Sequence, residues 1–219
     1  MASVFLIDVD NTLLDNDQAK ADVARAIREL VGPDRAARFW SLYEEIRGEY
    51  GVVDYPETLR RFRRTFPEES RLTDVDRAVL DVPFERYLYP RALDVIAHLW
   101  QHGEPAILSD GDRVFQPMKI ERTGLLSAVR GNVLVYEHKE DHLAEVQRRF
   151  PATRYVHIDD KAALLARTRA SLGDRVTTVH VRQGHYATES ASGAPPDVVV
   201  ERIADLLTVP TERLSAVKR

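Results

Sequence analysis

Six short, largely apolar runs, rich in β-branched residues, restrict the fold of this 219-residue chain more than any other feature of its sequence. They span residues 4–7, 105–108, 132–136, 155–158, 176–181 and 197–200. Runs of this kind are typical of strands that are buried on both faces of a sheet. Helical patterns over residues 91–102, 140–150 and 162–172 separate several of them. Strands that alternate with helices favour a parallel sheet, so we predict an α/β fold with a Rossmann-like three-layer αβα core.

A long segment with helical patterning separates the first two predicted strands. Apolar residues recur there at helical spacing in several successive stretches. The segment is far longer than a single crossover between parallel strands requires. We therefore predict a core domain formed by residues 1–14 and 89–219, into which residues 15–88 are inserted as an α-helical cap.

Composition argues against several classes of protein. The net charge of −4 gives no basis for nucleic-acid binding, and the absence of cysteine excludes disulfides and thiolate chemistry. No basic segment precedes the first apolar run, which is too short for a signal peptide or a membrane span. We therefore expect a soluble cytoplasmic protein without nucleic-acid or membrane partners. The sequence does not indicate an oligomeric state.

Two carboxylates follow the first predicted strand directly. Asp8 and Asp10 stand one residue apart in the segment D-V-D-N-T-L, so the strand delivers both into the turn at its carboxyl end. One carboxylate can attack a phosphorus centre, and a neighbouring carboxyl group can protonate the departing oxygen. Because Asp and Asn are also common where strands end, an ordinary turn is the competing interpretation of this motif alone.

Two further predicted strands end in polar residues. In Ser109-Asp110-Gly111, a hydroxyl beside the amides of a glycine-containing turn is suited to bind a phosphoryl oxygen. Asp159 and Asp160 end another strand and would repel each other unless a cation or hydrogen-bond donors compensate. Carboxylate oxygens are ligands that suit Mg²⁺. Because ligands bind beyond the carboxyl ends of parallel strands, we predict that these residues share one site.

The segment D-x-D-x-T-L after a strand resembles the opening signature of the haloacid dehalogenase superfamily, most of whose members are phosphotransferases. Ser109 matches the hydroxyl of its second motif, and Asp159-Asp160 matches its fourth, acidic motif, where many members have Gly-Asp. Chain position favours Lys139 as the lysine of the third motif, with Lys119 as the rival. The resemblance covers essentially the whole chain, and the predicted insertion occupies the position of the small helical cap.

The resemblance implies a magnesium-dependent phosphatase that acts on a small phosphorylated metabolite. Asp8 would form an aspartyl-phosphate, while Asp10 would protonate the leaving alcohol and then activate water. The implied catalytic residues are Asp8, Asp10, Thr12, Ser109 and Lys139. The implied substrate-binding residues are Ser109, Asp110, Gly111 and Lys139. The implied ligands of Mg²⁺ are Asp8, Asp10, Asp159 and Asp160, with Asp160 preferred over Asp159 as the direct ligand of that pair.

The type of residue at the position of Asp10 distinguishes the branches of this superfamily. Dehalogenases lack an acid at that position because a halide leaving group needs no proton, so an acid favours an oxygen leaving group. A phosphomutase would use the same residues, and a catalytically silent phosphate-binding protein is a further alternative. A response-regulator receiver also has carboxylates, a hydroxyl and a lysine at strand ends, but it needs about half this length. Candidate substrate contacts outside the motifs are Arg47, Tyr50, Tyr55, the arginine-rich segment 60–64, His185 and Tyr186.

Overall fold

A single parallel sheet forms the centre of the structure, a computed structural model that describes residues 3–51, 53–188 and 193–215. Its six strands are β1 (Ser3–Ile7), β2 (Gly103–Asp110), β3 (Val133–Tyr136), β4 (Arg154–Asp159), β5 (Val176–Val181) and β6 (Val198–Val200). They lie in the order β3-β2-β1-β4-β5-β6, and every pairing is parallel. All six predicted strands and the α/β class are therefore confirmed.

Helices cover the sheet and fill the segment between β1 and β2. They are α1 (Asn16–Val31), α2 (Pro33–Tyr50), α3 (Tyr55–Thr65), α4 (Leu72–Leu80), α5 (Ala92–Leu99), α6 (Phe115–Arg122), α7 (Leu125–Ala128), α8 (Leu143–Arg149), α9 (Ala162–Leu172) and α10 (Thr211–Ser215). Across the described part of the chain, none of these helices combines the length and the apolar character needed to cross a membrane.

The helix predicted over residues 140–150 is divided in the structure. A 3-10 turn, Lys139–His142, precedes α8, which begins only at Leu143. The backbone N–H of Lys139 donates to a carboxylate oxygen of Asp110 at 2.9 Å. This tertiary bond fixes the first turn against β2, and the regular helix starts one turn later than the apolar spacing suggests.

Alternate residues of β1 belong to two different parts of the core. Phe5 and Ile7 pack into a large cluster that also includes side chains of α1 to α5, whereas Val4 and Leu6 pack into a smaller cluster with α8. All four side chains are almost completely buried. Because burying such a side chain contributes about 1.5–3 kcal/mol, helices on both faces stabilise the central strand.

The segment that carries α1 to α4 leaves and re-enters the core at one place. The N–H of Asp15 donates to the carbonyl of Tyr87 at 2.8 Å, and the N–H of Tyr89 donates to the carbonyl of Leu13 at 2.9 Å. These bonds lie at the limits predicted for the inserted cap. The division of the chain into two domains at residues 14/15 and 88/89 stays a prediction.

Candidate active site

The carboxyl ends of β1, β2 and β4 meet where the strand order reverses. β1 pairs with β2 on one side and with β4 on the other, and the later crossovers lead away from β1 in both directions. In open parallel sheets this arrangement leaves a crevice beyond the strand ends, where ligands bind. Asp8, Ser109 and Asp159, which the sequence assigned to one site, are all buried there.

A buried lysine joins carboxylates of two strands. The Nζ atom of Lys139 lies 2.5 Å from Asp8 Oδ1 and 2.7 Å from Asp159 Oδ2. Burial opposes the charge of Lys139, but the two carboxylates outweigh it and raise the pKa of this lysine well above its ordinary value. Burial also acts against the charge of Asp159, but Lys139 and His157 hold the pKa of this acid well below its ordinary value. Lys139 and Asp159 therefore form a charged pair, and removing Lys139 would leave the buried charge of Asp159 without this partner.

Two other acids at this site, Asp8 and Asp160, are less fully compensated, because Asp8 shares Lys139 with Asp159. Burial raises the pKa of Asp8 to about 7, although Lys139 opposes the shift. Burial, followed by the charges of Asp159 and Asp8, raises the pKa of Asp160 to about 9. Neither carboxylate oxygen of Asp160 has a hydrogen-bond partner within the described ranges. Oxygen atoms of Asp8, Asp159 and Asp160 lie within 4.8 Å of one another. A divalent cation would supply the missing compensation, so these residues fit Mg²⁺.

A second lysine holds Asp10. The Nζ atom of Lys119 lies 2.6 Å and 2.7 Å from the two carboxylate oxygens of Asp10, and the lysine side chain is buried. Gln116 on α6 donates its amide to Ser109 Oγ at 2.8 Å and more weakly to Asp10 Oδ2 at 3.4 Å. The sequence left Lys139 and Lys119 as alternatives. Both lie in the site: Lys139 pairs with Asp8 and Asp159, and Lys119 pairs with Asp10.

Asp110 fixes the turn after β2. Its Oδ1 atom accepts the backbone N–H of Lys139, and its Oδ2 atom lies 3.5 Å from Lys161 Nζ. The next residue, Gly111, has a φ of +155°, and a Cβ atom at this position would lie 2.6 Å from Gln116 Cβ. The turn therefore has no room for a side chain at residue 111. Asp110 itself contacts two lysines, the backbone of Lys139 and the side chain of Lys161.

The loop after β1 is fastened to the start of α1. Asn11 has a φ of +61°, and its side-chain oxygen accepts the N–H groups of Asn16 and Asp17 at 3.1 Å and 3.2 Å. Asp17 also accepts the N–H of His185, in the loop after β5, at 2.8 Å. Thr12 is fully buried, and its hydroxyl has no hydrogen-bond partner in the part of the chain that the structure describes. This loop therefore positions Asp8 and Asp10 against both the core and the inserted helices.

A cavity of about 570 Å³ lies between these strand ends and the inserted helices. Its walls contain Asp10, Asp110, Gly111, Lys119, Asp160 and Lys161 from the core and Lys20, Tyr43, Arg47 and Tyr55 from the insertion. His185 and Tyr186 also line it, as the sequence suggested. Tyr50 and the segment 60–64 are not among its walls; instead, Arg60, Arg61 and Arg63 form ion pairs away from it.

Sequence reasoning missed several residues of this site, among them Lys161 and Gln116. Lys161 follows the acidic pair directly, and that adjacency was an available signal. Burial acts against its charge, but Asp8 and Asp159 outweigh it and raise the pKa of Lys161 above its ordinary value. Gln116 stands one helical turn before Lys119, but its contact with Ser109 depends on how α6 is oriented. No local pattern reveals that orientation.

The fold and the site together have the architecture that the sequence resemblance implied: a parallel α/β core whose strand ends present carboxylates, a hydroxyl and a buried lysine beneath inserted helices. No protein-family model and no curated protein matches the chain in sequence. Solved structures do match it. A crystal structure of a protein from Burkholderia xenovorans LB400, assigned as a haloacid dehalogenase-like hydrolase, is 44% identical with a TM-score of 0.88. The match covers 97% of this chain and 98% of that one. The chain belongs to the haloacid dehalogenase-like hydrolases.

More distant structures share the fold. An L-2-haloacid dehalogenase from Xanthobacter autotrophicus, with chloropropionic acid covalently bound, is 19% identical with a TM-score of 0.63. A HAD-hydrolase from Bacillus subtilis bound to magnesium is 17% identical with a TM-score of 0.64. Each match covers 95% of this chain and 98% of the other. At these identities the likeness concerns the fold alone, and it includes a protein with dehalogenase chemistry.

Proposed function

We propose that this chain is a magnesium-dependent phosphatase that cleaves a small phosphomonoester through an aspartyl-phosphate on Asp8. The observation that carries the proposal is the position of Asp10, which lines the cavity two residues beyond Asp8 and is held there by Lys119. An alkoxide leaving group needs a proton from such an acid, whereas a halide does not. The acid therefore favours phosphate esters over haloacids.

In the first step, a carboxylate oxygen of Asp8 attacks phosphorus and the bond from phosphorus to the ester oxygen breaks. Asp10 gives its proton to that oxygen, which leaves as an alcohol. Lys139 stabilises the ionised form of Asp8 before attack and the phosphoryl charge during it. Ser109, Lys161 and the backbone at Gly111 orient the phosphoryl oxygens, since positioning and electrostatics supply most of the rate in phosphoryl transfer.

In the second step, Asp10 takes a proton from water, and the resulting hydroxide attacks the phosphorus of the aspartyl-phosphate. The bond between phosphorus and Asp8 breaks, which restores the carboxylate and releases inorganic phosphate. The contact between Asp10 and Lys119 stabilises the ionised acid between the two steps. Thr12 completes the loop that carries both acids.

Asp8, Asp160 and the main-chain carbonyl of Asp10 would hold Mg²⁺, which supplies positive charge that offsets the carboxylates and the phosphate. We assign Asp160 as a direct ligand because its oxygens lack hydrogen-bond partners among the described residues. Asp159 is engaged by Lys139 and by the N–H of Lys161 at 2.8 Å, so it orients the lysine and adds negative charge beside the metal.

The test compares two leaving groups under two metal conditions. Phosphate release is measured from p-nitrophenyl phosphate and a panel of small phosphomonoesters, and chloride release from 2-chloropropionate, each with Mg²⁺ and with chelator. We expect phosphate release that disappears with chelator and returns with Mg²⁺, and no chloride release. Chloride release that is indifferent to the chelator, without phosphate release from any ester, would overturn the proposal in favour of a dehalogenase.

A further inference from the structure

The inserted helices bring two cations to the cavity that the phosphatase chemistry does not use. Lys20 on α1 and Arg47 on α2 both line its wall. The Nζ atom of Lys20 lies 3.9 Å from Glu44 Oε1, and a guanidinium nitrogen of Arg47 lies 3.5 Å from Glu44 Oε2. Two cations therefore share the carboxylate of Glu44, and Asp17, which also lines the cavity, adds a second negative charge near Lys20.

Lys20 lies beside two aromatic rings and is partly buried. Its Nζ atom lies 4.4 Å from the ring centre of Tyr43 and 5.3 Å from that of Trp40. Burial lowers the pKa of Lys20, while Glu44 and Asp17 oppose the shift. Asp17 is already engaged by the Nδ1 atom of His185 at 2.8 Å. An anion that entered the cavity would find a preorganised cation with room for a further partner.

Four aromatic side chains form a wall of the same cavity that these cations line. The rings of Tyr43 and Tyr55 are 5.3 Å apart, those of Tyr55 and Phe115 4.9 Å, and those of Phe84 and Phe115 5.9 Å. Burial raises the pKa of Tyr43 to about 12, and both Asp10 and Arg47 are close enough to affect it. The aromatic side chains, the two cations and Asp10 therefore line one cavity.

We propose that Lys20 and Arg47 form a second anion site, and that the substrate is a small phosphomonoester carrying another anionic group. An apolar skeleton against the aromatic wall would separate the two anions, so that one lies at Asp8 and the other at Lys20. This inference rests on the proposed phosphatase activity and names the substrate class of that site. The second anion is a carboxylate or a second phosphate, and the experiment distinguishes the two.

The test uses substrates matched except for the second charge. 4-Carboxyphenyl phosphate is compared with its neutral amide, 4-carbamoylphenyl phosphate, and 1,4-phenylene bisphosphate provides the second phosphate. 3-Phosphonooxypropanoate and its amide form a shorter pair. In at least one pair, we expect kcat/KM to be about 10-fold higher for the substrate with two anionic groups. This is the order of the free energy of one hydrogen bond to a charged group.

Variants separate the subsite from a structural effect. Lys20→Gln and Arg47→Gln should each raise KM for the substrate with a second anionic group by about 10-fold, with little change in kcat. The same variants should change kcat/KM for the neutral amide by less than about 2-fold, because the amide does not use the cation. Arg25→Gln is the matched control, since Arg25 lies on the same helix, pairs with Asp22 and does not line the cavity.

Each failure has its own signature. Equal turnover of both members of every pair, unchanged in Lys20→Gln, would overturn the anion site and leave the phosphatase standing. For a pair that binds without turnover, its competitive inhibition constants against p-nitrophenyl phosphate are compared in the same way. If no phosphomonoester is hydrolysed under any metal condition, the proposed function fails and this inference fails with it.

Discussion

At the residue scale, the site is defined by acids in unequal surroundings. Asp159 is neutralised by Lys139, and Asp10 is held by Lys119, but neither oxygen of Asp160 has a hydrogen-bond partner in the described part of the chain. An unpartnered buried carboxylate costs free energy unless a cation compensates it. This cost is the physical reason to expect a metal here, and it makes metal binding visible as a change in stability.

The substitution Asp160→Asn should stabilise the metal-free protein at about pH 8. Burial raises the pKa of Asp160 from 3.8 to about 9, so the folded state favours the protonated carboxyl. The metal-free wild type therefore loses stability as the pH rises from about 4 towards about 9. Asn has no carboxyl group that must take up a proton on folding, so the substitution should recover at least about 1 kcal/mol, or about 2–4 °C in Tm for a chain of this size.

Thermal unfolding with chelator and with Mg²⁺ measures this effect. Mg²⁺ should raise the Tm of the wild type and leave that of Asp160→Asn nearly unchanged. Asp94→Asn is the control, because Asp94 lies on the surface of α5 and pairs only with Arg91 within 4 Å among the described residues. A lower Tm for Asp160→Asn in chelator, or a full response to Mg²⁺, would contradict the metal assignment.

The substitution Asp10→Asn should affect substrates according to their leaving groups. An alkoxide needs the proton of Asp10, whereas p-nitrophenolate leaves readily without one, so only the alkyl ester depends strongly on the acid. We expect kcat/KM to fall by about 100-fold or more for an alkyl phosphate and by at most about 10-fold for p-nitrophenyl phosphate. The ratio of the two constants is the measurement. Equal losses for both substrates would remove Asp10 from the role of general acid.

At the scale of elements, strand ends were predictable and helix orientations were not. The apolar runs predicted the six strands, and the residues at the carboxyl ends of β1, β2 and β4 meet because the strands are parallel. Lys139 was within reach of prediction because it follows β3 closely. The contacts of Lys119 and Gln116 with Asp10 depend on the direction in which α6 crosses the sheet. That direction results from tertiary packing, which no local spacing encodes.

Gly184, in the loop after β5, lies against the loop after β1 that carries Asp8 and Asp10. Substituting it tests whether this close approach is needed. Gly184 has a φ of +67°, and a Cβ atom there would lie 2.5 Å from the side chain of Asn11. Gly124, between α6 and α7, has a φ of +78° and a ψ of −1°, with no atom within 4 Å of such a Cβ atom in the described ranges. Gly124→Ala should cost about 1–2 kcal/mol of stability and leave activity unchanged, since only the backbone preference is lost.

Gly184→Ala should cost more than its control, and it should also lower activity by shifting Asn11 and the acids beside it. The comparison uses Tm and kcat/KM for both variants. If both variants lose the same Tm and Gly184→Ala keeps full activity, the loop after β5 does not position the loop after β1.

At the scale of the whole molecule, the inserted helices and the sheet share one hydrophobic cluster. That cluster contains Phe5 and Ile7 of β1 together with Phe39 and Phe62 of the insertion. Parts that share a core unfold together more readily than parts joined only by a linker. The sequence predicted the insertion from its helical patterning, but the continuity of this cluster depends on side chains far apart in the chain.

The chain contains two tryptophans, and they report on the two regions separately. Trp40 lies on α2 in the insertion, and Trp100 follows α5 in the core. We expect the single-tryptophan variants Trp100→Phe and Trp40→Phe to show urea midpoints by fluorescence that each coincide with the midpoint by far-ultraviolet circular dichroism of the same variant. A fluorescence transition of Trp40 that precedes the loss of sheet structure would contradict cooperative unfolding.

If Asp8 attacks phosphorus, the variant Asp8→Asn should lose phosphate release. The measurement uses the best phosphomonoester found for the wild type, with Mg²⁺, and intact mass to verify that residue 8 remains Asn. We predict a loss of at least about 1000-fold, because the amide cannot form the aspartyl-phosphate, while Asp94→Asn keeps full activity. If Asp8→Asn retains a tenth or more of wild-type turnover, without deamidation, Asp8 is not the nucleophile.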